Sequence, residues 1–129
     1  MPNVVQIKIY SDPNSSNPTM TLPDVPWYAG ITALQAMIIG EAMHASNFSF
    51  RVVYKSIYGA FIDSIDQVTD NDTPNFYWML KVDGADPGVG ASEAIIQEDA
   101  SKTTAVVEWR YMDVSATQSK QTRLKAIRL

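Results

Sequence analysis

The chain opens with apolar and polar side chains in alternation. In Val4–Tyr10, β-branched residues alternate with polar ones, and this period of two is typical of a half-buried strand. Ser11–Pro18 is rich in turn-forming residues. Thr19–Leu22 predicts a second strand, which should end at Pro23 and Pro26 because proline removes a donor from the strand ladder.

The pattern changes to that of a helix after Gly30. Ala33–Met43 has apolar residues at helical spacing, and Thr32 before it is a suitable N-cap. Leu34, Met37, Ile38, Glu41 and Ala42 follow this spacing, and all but Glu41 are apolar. Because the segment is apolar almost all round, it suits a helix packed against a sheet. His44–Asn47 should end it.

The rest of the chain is dominated by strand patterns. Asp83–Gly84 is a strong signal for a tight turn, and Asp66–Asn75 is predicted to be a solvated loop. We expect a short strand at Ala94–Gln97 and an edge strand at Thr122–Leu129. The four clearer strands are Phe48–Tyr54, Tyr58–Ile65, Phe76–Val82 and Thr104–Tyr111.

The order of these elements predicts an α+β fold. Two strands, one helix and then several strands are the order of a β-grasp-like mixed sheet covered by one helix. An all-β sandwich is the alternative, but the helical segment argues against it. We detect no repeat or linker, so residues 1–129 are predicted to form a single domain.

Composition and charge exclude several classes of protein. Of 129 residues, 46% are hydrophobic and 19% charged, which is typical of a globular chain. The net charge of −4 and the 10 Lys+Arg argue against nucleic acid as a partner. The densest basic group, Lys120, Arg123, Lys125 and Arg128, is interpreted as a solvated strand face.

The absence of cysteine excludes disulfides, thiolate catalysis and cysteine zinc sites. The longest apolar stretch, Ile31–Met43, is interrupted by polar residues, so no membrane insertion is expected. Residues 1–25 lack the pattern of a signal peptide.

The sequence favours a protein that is not an enzyme. His44 is the only histidine, and no serine lies in a Gly-x-Ser-x-Gly motif. A metal site is also not expected. Asp63, Asp66, Asp70 and Asp72 suggest calcium, but Pro74 and Asn75 stand where a ligand and a glycine are needed. A solvated acidic loop is therefore preferred.

Aromatic residues are the candidate contact sites. Along Phe76–Val82, Tyr77 and Met79 should face opposite to Trp78. Only one of these sets can cover the helix, so Tyr77 and Met79 are expected to face solvent, a partner or a ligand. Aromatic residues of the loop at Trp27 and Tyr28 and of the last strand are further candidates. The predicted ligand or partner contacts are Trp27, Tyr28, Tyr77, Trp78, Met79, Trp109 and Tyr111.

Four segments carry a family resemblance. They are Gly30–Ala36 (GITALQA), Tyr58–Ile65 (YGAFIDSI), Phe76–Gly84 (FYWMLKVDG) and Val107–Tyr111 (VEWRY). In this order they resemble the C-terminal β-domain of transcobalamin and intrinsic factor, and more closely its bacterial relatives, a domain of unknown function. The resemblance covers about residues 28–111 and leaves residues 114–129 as a C-terminal extension. Asp83 stands where the family usually has asparagine.

The resemblance implies a non-catalytic binding or assembly domain of a surface or extracellular system, with a protein partner or self-association. A cytoplasmic location is the alternative. No cofactor is expected. A second hypothesis is a binder of a corrinoid (cobalamin) or another flat ligand, stacked on Tyr77 or Trp78. A third is self-assembly through exposed edge strands at Val4–Tyr10 and Thr122–Leu129.

Overall fold

The structure is a computed structural model that describes residues 3–44, 47–56, 59–70, 76–99 and 101–113, without the side chains of residues 55 and 56. The expected strand at Thr122–Leu129, and Asp72 with its neighbours 71–75, lie outside these residues. The elements are β1 (Val4–Tyr10), β2 (Met20–Pro26), α1 (Ala33–Met43), β3 (Phe50–Ser56), β4 (Gly59–Ile65), β5 (Val68–Thr69), β6 (Phe76–Val82) and β7 (Thr104–Asp113).

A four-stranded sheet holds both ends of the described chain. Its order is β2-β1-β7-β6. β1 is antiparallel to β2 and parallel to β7, and β6 is antiparallel to β7. The mixed α+β class with a helix over a sheet is therefore confirmed. The expectation that Val4–Tyr10 forms an exposed edge is wrong, because β1 has a strand on each side.

A second sheet has the order β3-β4-β5. Asp66 and Gln67 join β4 to β5 with φ values of 49° and 71°, as a two-residue hairpin turn with both residues left-handed requires. The predicted loop Asp66–Asn75 was therefore wrong in part, since it contains β5. That strand is only two residues long, and no periodicity is visible over two residues.

The second strand runs further than its prolines suggested. β2 continues through Pro23 to Pro26, and its register against β1 shifts between Val5 and Ile7. Because β2 is the outer strand of its sheet, a proline whose nitrogen faces away from β1 removes no hydrogen bond between the strands. Between the pairs Val5–Val25 and Ile7–Leu22, β2 has one residue more than β1, and a β-bulge accommodates it. The expectation that Pro23 ends the strand is therefore wrong, whereas the strand does end at Pro26.

The helix begins at a capping box. Thr32 Oγ1 accepts from the Gln35 N–H at 3.1 Å, and Gln35 Oε1 accepts from the Thr32 N–H at 2.9 Å. Ile38 and Ala42 are apolar residues at helical spacing, but both are exposed. The buried residues are Ala33, Leu34, Ala36, Met37 and Gly40. Gly40 has no side chain, which lets the helix approach Leu22 of β2 and Ile7 of β1 closely, so the buried face includes this glycine and leaves Ile38 and Ala42 outside.

Trp78 connects the two sheets. Its Nε1 donates to the Val68 carbonyl at 2.7 Å, and its backbone N–H donates to Asp70 Oδ1 at 2.8 Å. The neighbouring Tyr111 hydroxyl donates to the Thr69 carbonyl at 2.8 Å. Burial, with a smaller contribution from the charge of Asp70, raises the pKa of the Tyr111 phenol. Two hydrogen bonds thus attach β6 and β7 to β5, and a third attaches β6 to Asp70, the residue that follows β5.

Candidate binding groove

One wall of the candidate site is the turn that follows β6. Asp83 and Gly84 have φ values of 49° and 86°, and Val82 forms a bridge with Ala85. Asp83 also fastens the turn to β7, because its N–H donates to the Val106 carbonyl and its Oδ1 accepts from the Val106 N–H, both at 2.8 Å. Lys102 Nζ lies 3.8 Å from the same carboxylate oxygen.

Replacing Asp83 with alanine should therefore destabilise the protein by about 1–3 kcal/mol, since the partly buried Val106 N–H loses its acceptor and alanine tolerates the left-handed conformation less well than aspartate does. Asp83→Asn keeps an acceptor oxygen and tolerates that conformation, so it should change stability by less than about 1 kcal/mol. Chemical denaturation of the two variants measures the difference. Equal losses would mean that the side-chain bond to Val106 does not hold the turn.

The opposite wall is the extended segment 93–97. The Ala33 N–H donates to the Ala94 carbonyl and the Ile96 N–H to the Ile31 carbonyl, both at 2.8 Å. Trp27 Nε1 donates to the Ile96 carbonyl at 3.0 Å. The predicted short strand Ala94–Gln97 is thus a single bridge, between Thr32 and Ile95.

The turn that leads into this wall is held against β4. The Ala91 N–H donates to the Ala60 carbonyl at 2.6 Å, and Ser92 Oγ accepts from the Ala60 N–H at 2.8 Å. A Cβ at Gly59 would lie 2.5 Å from Ser92 Oγ, and Gly59 has φ +98°. Only glycine fits this position without strain. The second sheet therefore helps to position the wall.

Between the two walls lies an open groove of about 470 Å³. Most of its lining is apolar, and Ile95 in it is 49% exposed. The lining residues are Val82, Asp83, Ala85, Pro87, Val89, Glu93, Ala94, Ile95 and Gln97.

The charge of the groove is negative. Its lining includes the carboxylates of Asp83 and Glu93 and no cationic side chain. Exposed Asp86 and Glu98 directly flank lining residues in the chain. Lys102 neutralises part of the charge at Asp83, whereas Glu93 is an exposed carboxylate outside the ion pairs of the described residues. The groove thus combines apolar lining residues, here called the apolar floor (Val82, Ala85, Pro87 and Val89), with carboxylates in or next to the lining, here called the acidic margin (Glu93 and Glu98).

The aromatic residues predicted from sequence are not gathered at this groove. Tyr28 is 45% exposed, on the loop beside segment 93–97, and Trp27 is partly buried in that loop. Trp78 and Trp109 are buried in the core at 0% and 1% exposure. Met79 and Tyr111 are partly buried in β6 and β7. Whether any of the seven contacts a ligand or partner stays a prediction.

The expected exposure of Tyr77 is wrong, since the side chain is only 3% exposed. Tyr77 does point away from Trp78, but the outer face of the sheet is not open to solvent there. Arg110 on this face lies 3.9 Å above the ring of Tyr10. Its Nη1 also reaches the Ser15 carbonyl at 3.5 Å, so the loop after β1 folds over this face.

Three of the four acidic residues that suggested calcium lie within the described residues, and all three accept hydrogen bonds from protein donors. Asp63 forms two 2.9 Å hydrogen bonds with Arg51, Asp66 Oδ1 accepts from the Ser49 N–H, and Asp70 Oδ1 accepts from Trp78. His44 lies 3.2 Å from Asp24. No cluster of three or more metal-ligating residues occurs among the described residues. Within the same ranges, no helix is long and apolar enough to cross a membrane.

Sequence reasoning missed the groove itself. The sequence predicts the Asp83–Gly84 turn and a short strand at Ala94–Gln97, but not that a groove lies between them. The available signal was the apolar run Ala94–Ile96 following a Pro- and Gly-containing stretch. That signal does not reveal that hydrogen bonds from Ile31, Ala33 and Ala60 place the run opposite the turn.

Comparison with known proteins supports the fold. A crystal structure of haptocorrin in complex with Cbi matches 84% of this chain with a TM-score of 0.57 at 18% sequence identity. The match covers 25% of the haptocorrin chain, so this chain spans about a quarter of its length. No curated protein sequence matches. The family described as "Domain of unknown function (DUF4430)" matches residues 32–111, which is more than half of the chain. The resemblance to a transcobalamin-like domain of unknown function is thereby confirmed, and the chain belongs to the DUF4430 family.

Proposed function

We propose that this domain is a non-catalytic binding module, and that the groove between the Asp83–Gly84 turn and segment 93–97 is its binding surface. The observation that supports this is the combination of an apolar floor with a half-exposed isoleucine at its edge. Concave, mostly apolar surfaces with a few polar groups are the usual sites of binding.

The openness of the groove favours a partner that supplies the other half of the contact. A site that encloses a small ligand buries most of the ligand surface. This groove is bounded by a turn on one side and a single extended segment on the other. We therefore propose that a polypeptide from another protein, or from another domain, lies across it.

Substituting Ile95 tests this proposal. Full-length protein is used to select binders from a random-sequence peptide library, and each selected peptide is titrated against Ile95→Asp and Ile38→Asp. Ile38 is a matched control, because it is 51% exposed on the outer side of α1 and Ile95 is 49% exposed in the groove. We expect Ile95→Asp to weaken the selected peptides about tenfold or more and Ile38→Asp to leave them unchanged.

Peptides that bind both variants equally, or a library that gives no binder, would remove the groove as the binding surface. Circular dichroism of both variants checks that neither has unfolded.

A corrinoid ligand is the second candidate, favoured by the fold similarity to haptocorrin in complex with Cbi. The buried positions of Tyr77 and Trp78 leave no ring face for stacking there, so we propose the groove as the contact. This hypothesis predicts that the protein retains cobalamin in equilibrium dialysis and that the Ile95→Asp variant retains less. The visible absorbance of cobalamin measures the amount that is retained. Dialysis without retention removes this candidate.

The remaining expectations concern assembly and location. Self-assembly through β1 is no longer proposed, because β1 is an inner strand. Assembly through Thr122–Leu129 predicts a multimer by light scattering, and a monomer would contradict it.

We propose a surface or extracellular system as the setting, with the cytoplasm as the alternative. Fractionation of the native cell separates the two.

A further inference from the structure

We propose that the groove binds an extended peptide in which apolar residues alternate with basic ones, and that this peptide adds a β-strand to residues 94–97. The inference rests on the proposed function and names the chemistry of the partner. Three features of the described residues carry it: an unpaired backbone edge, an apolar floor and an acidic margin.

The backbone edge follows from the pairing of Ile95. In antiparallel pairing, positions alternate between pairs that exchange hydrogen bonds and pairs whose N–H and C=O groups point outwards. The bonds run from Ala33 to Ala94 and from Ile96 to Ile31, so Thr32 and Ile95 form a pair of the second kind. The N–H and C=O of Ile95 therefore point away from Thr32.

Those two backbone groups have no protein partner within the described part of the chain. An exposed extended segment with an unpaired N–H and C=O is a template for an added strand. Main-chain bonds to Ile95 would hold the peptide backbone and set its register. They would not by themselves select a sequence.

The side chains of the groove would select the sequence of the peptide. Successive residues of an added strand point to opposite faces, so every second residue can enter the apolar floor formed by Val82, Ala85, Pro87 and Val89. The residues between them face the margin, where Glu93 and Glu98 are exposed carboxylates. Lysine or arginine at those positions is complementary in charge, and aspartate or glutamate would be repelled.

The test uses the full chain and a fluorescently labelled heptapeptide, TKVRVKT, followed by fluorescence anisotropy. We expect saturable binding that is at least about tenfold tighter than binding of the acidic counterpart TEVEVET and that weakens with added salt. A version methylated on the central backbone nitrogens cannot donate to the Ile95 carbonyl, so its binding should fall at least about tenfold.

Two protein variants locate the site. Glu93→Lys reverses one charge of the margin and should weaken the basic peptide about tenfold. Asp12→Lys makes the same charge change in the exposed loop after β1 and should have little effect. Ile95→Pro removes the outward N–H without removing a bond to residues 31–33, and should weaken both the basic and the acidic peptide.

The proposal is overturned if the basic peptide does not bind, or if the two peptides bind equally. It is also overturned if N-methylation or Glu93→Lys has no more effect than Asp12→Lys. Library peptides that need Ile95 but are neither basic nor extended would refute this inference alone and leave the proposed function standing.

Discussion

Replacing Trp78 with alanine is expected to lower the free energy of unfolding by about 3–5 kcal/mol. The indole is fully buried, so its removal leaves a large cavity between the sheets, and the Val68 carbonyl loses its donor. Because small domains have a total stability of about 5–15 kcal/mol, the variant should be close to unfolding. Urea denaturation followed by circular dichroism measures the change.

Phenylalanine substitutions separate packing from hydrogen bonding. Trp78→Phe and Trp109→Phe remove the same atoms from two buried sites, but Trp109 Nε1 has no hydrogen-bond partner within the described ranges. We expect Trp78→Phe to lose about 1–2 kcal/mol more than Trp109→Phe, because only the first change leaves an unpaired carbonyl. Equal losses would contradict the claim that the bond to Val68 stabilises the contact between the sheets.

The second large effect is expected at Gly40. A Cβ at this position would lie 3.1 Å from Leu22 Cδ1 and 3.2 Å from Ile7 Cδ1. Gly40→Leu must therefore push α1 away from β1 and β2, which should destabilise the protein by about 3 kcal/mol or more. Thermal and urea denaturation both report the loss.

Two control substitutions show whether the close approach is the cause. Gly40→Ala adds one methyl group against flexible side-chain ends and gains about 1 kcal/mol of helix propensity, so its net effect should be small. Ala42→Leu introduces the same side chain on the exposed side of the helix and should change stability by less than about 0.5 kcal/mol. If Ala42→Leu is as damaging as Gly40→Leu, helix packing is not the explanation.

The elements with a clear period were predictable from the sequence. Alternation in β1 predicts its half-buried pattern, and Thr32 as an N-cap predicts where α1 begins, because both are local signals. The face of the helix was harder. Because α1 is apolar almost all round, the positions of Ile38 and Ala42 are decided by which small residues contact β2, and that is a tertiary property.

The candidate site was largely hidden from sequence reasoning. Alternation separates Tyr77 from Trp78 onto two faces, but it does not say that the loop after β1 covers the outer face. The groove likewise depends on hydrogen bonds between residues about 30–60 positions apart, such as Ala33 with Ala94 and Ala60 with Ala91. Hydrogen bonds between residues so far apart cannot be predicted from a local sequence pattern.

The central position of β1 has a consequence for how the chain folds. β1 lies between β2 and β7, and its parallel register joins Val4 to Thr104 and Tyr10 to Arg110. These partners are separated by about a hundred residues, so closing the sheet requires a long loop to form first, and folding should be slow for a domain of this size. During synthesis, one edge of β1 stays unpaired until β7 has been made. A chain interrupted before residue 104 would therefore expose an apolar strand edge that is prone to aggregation.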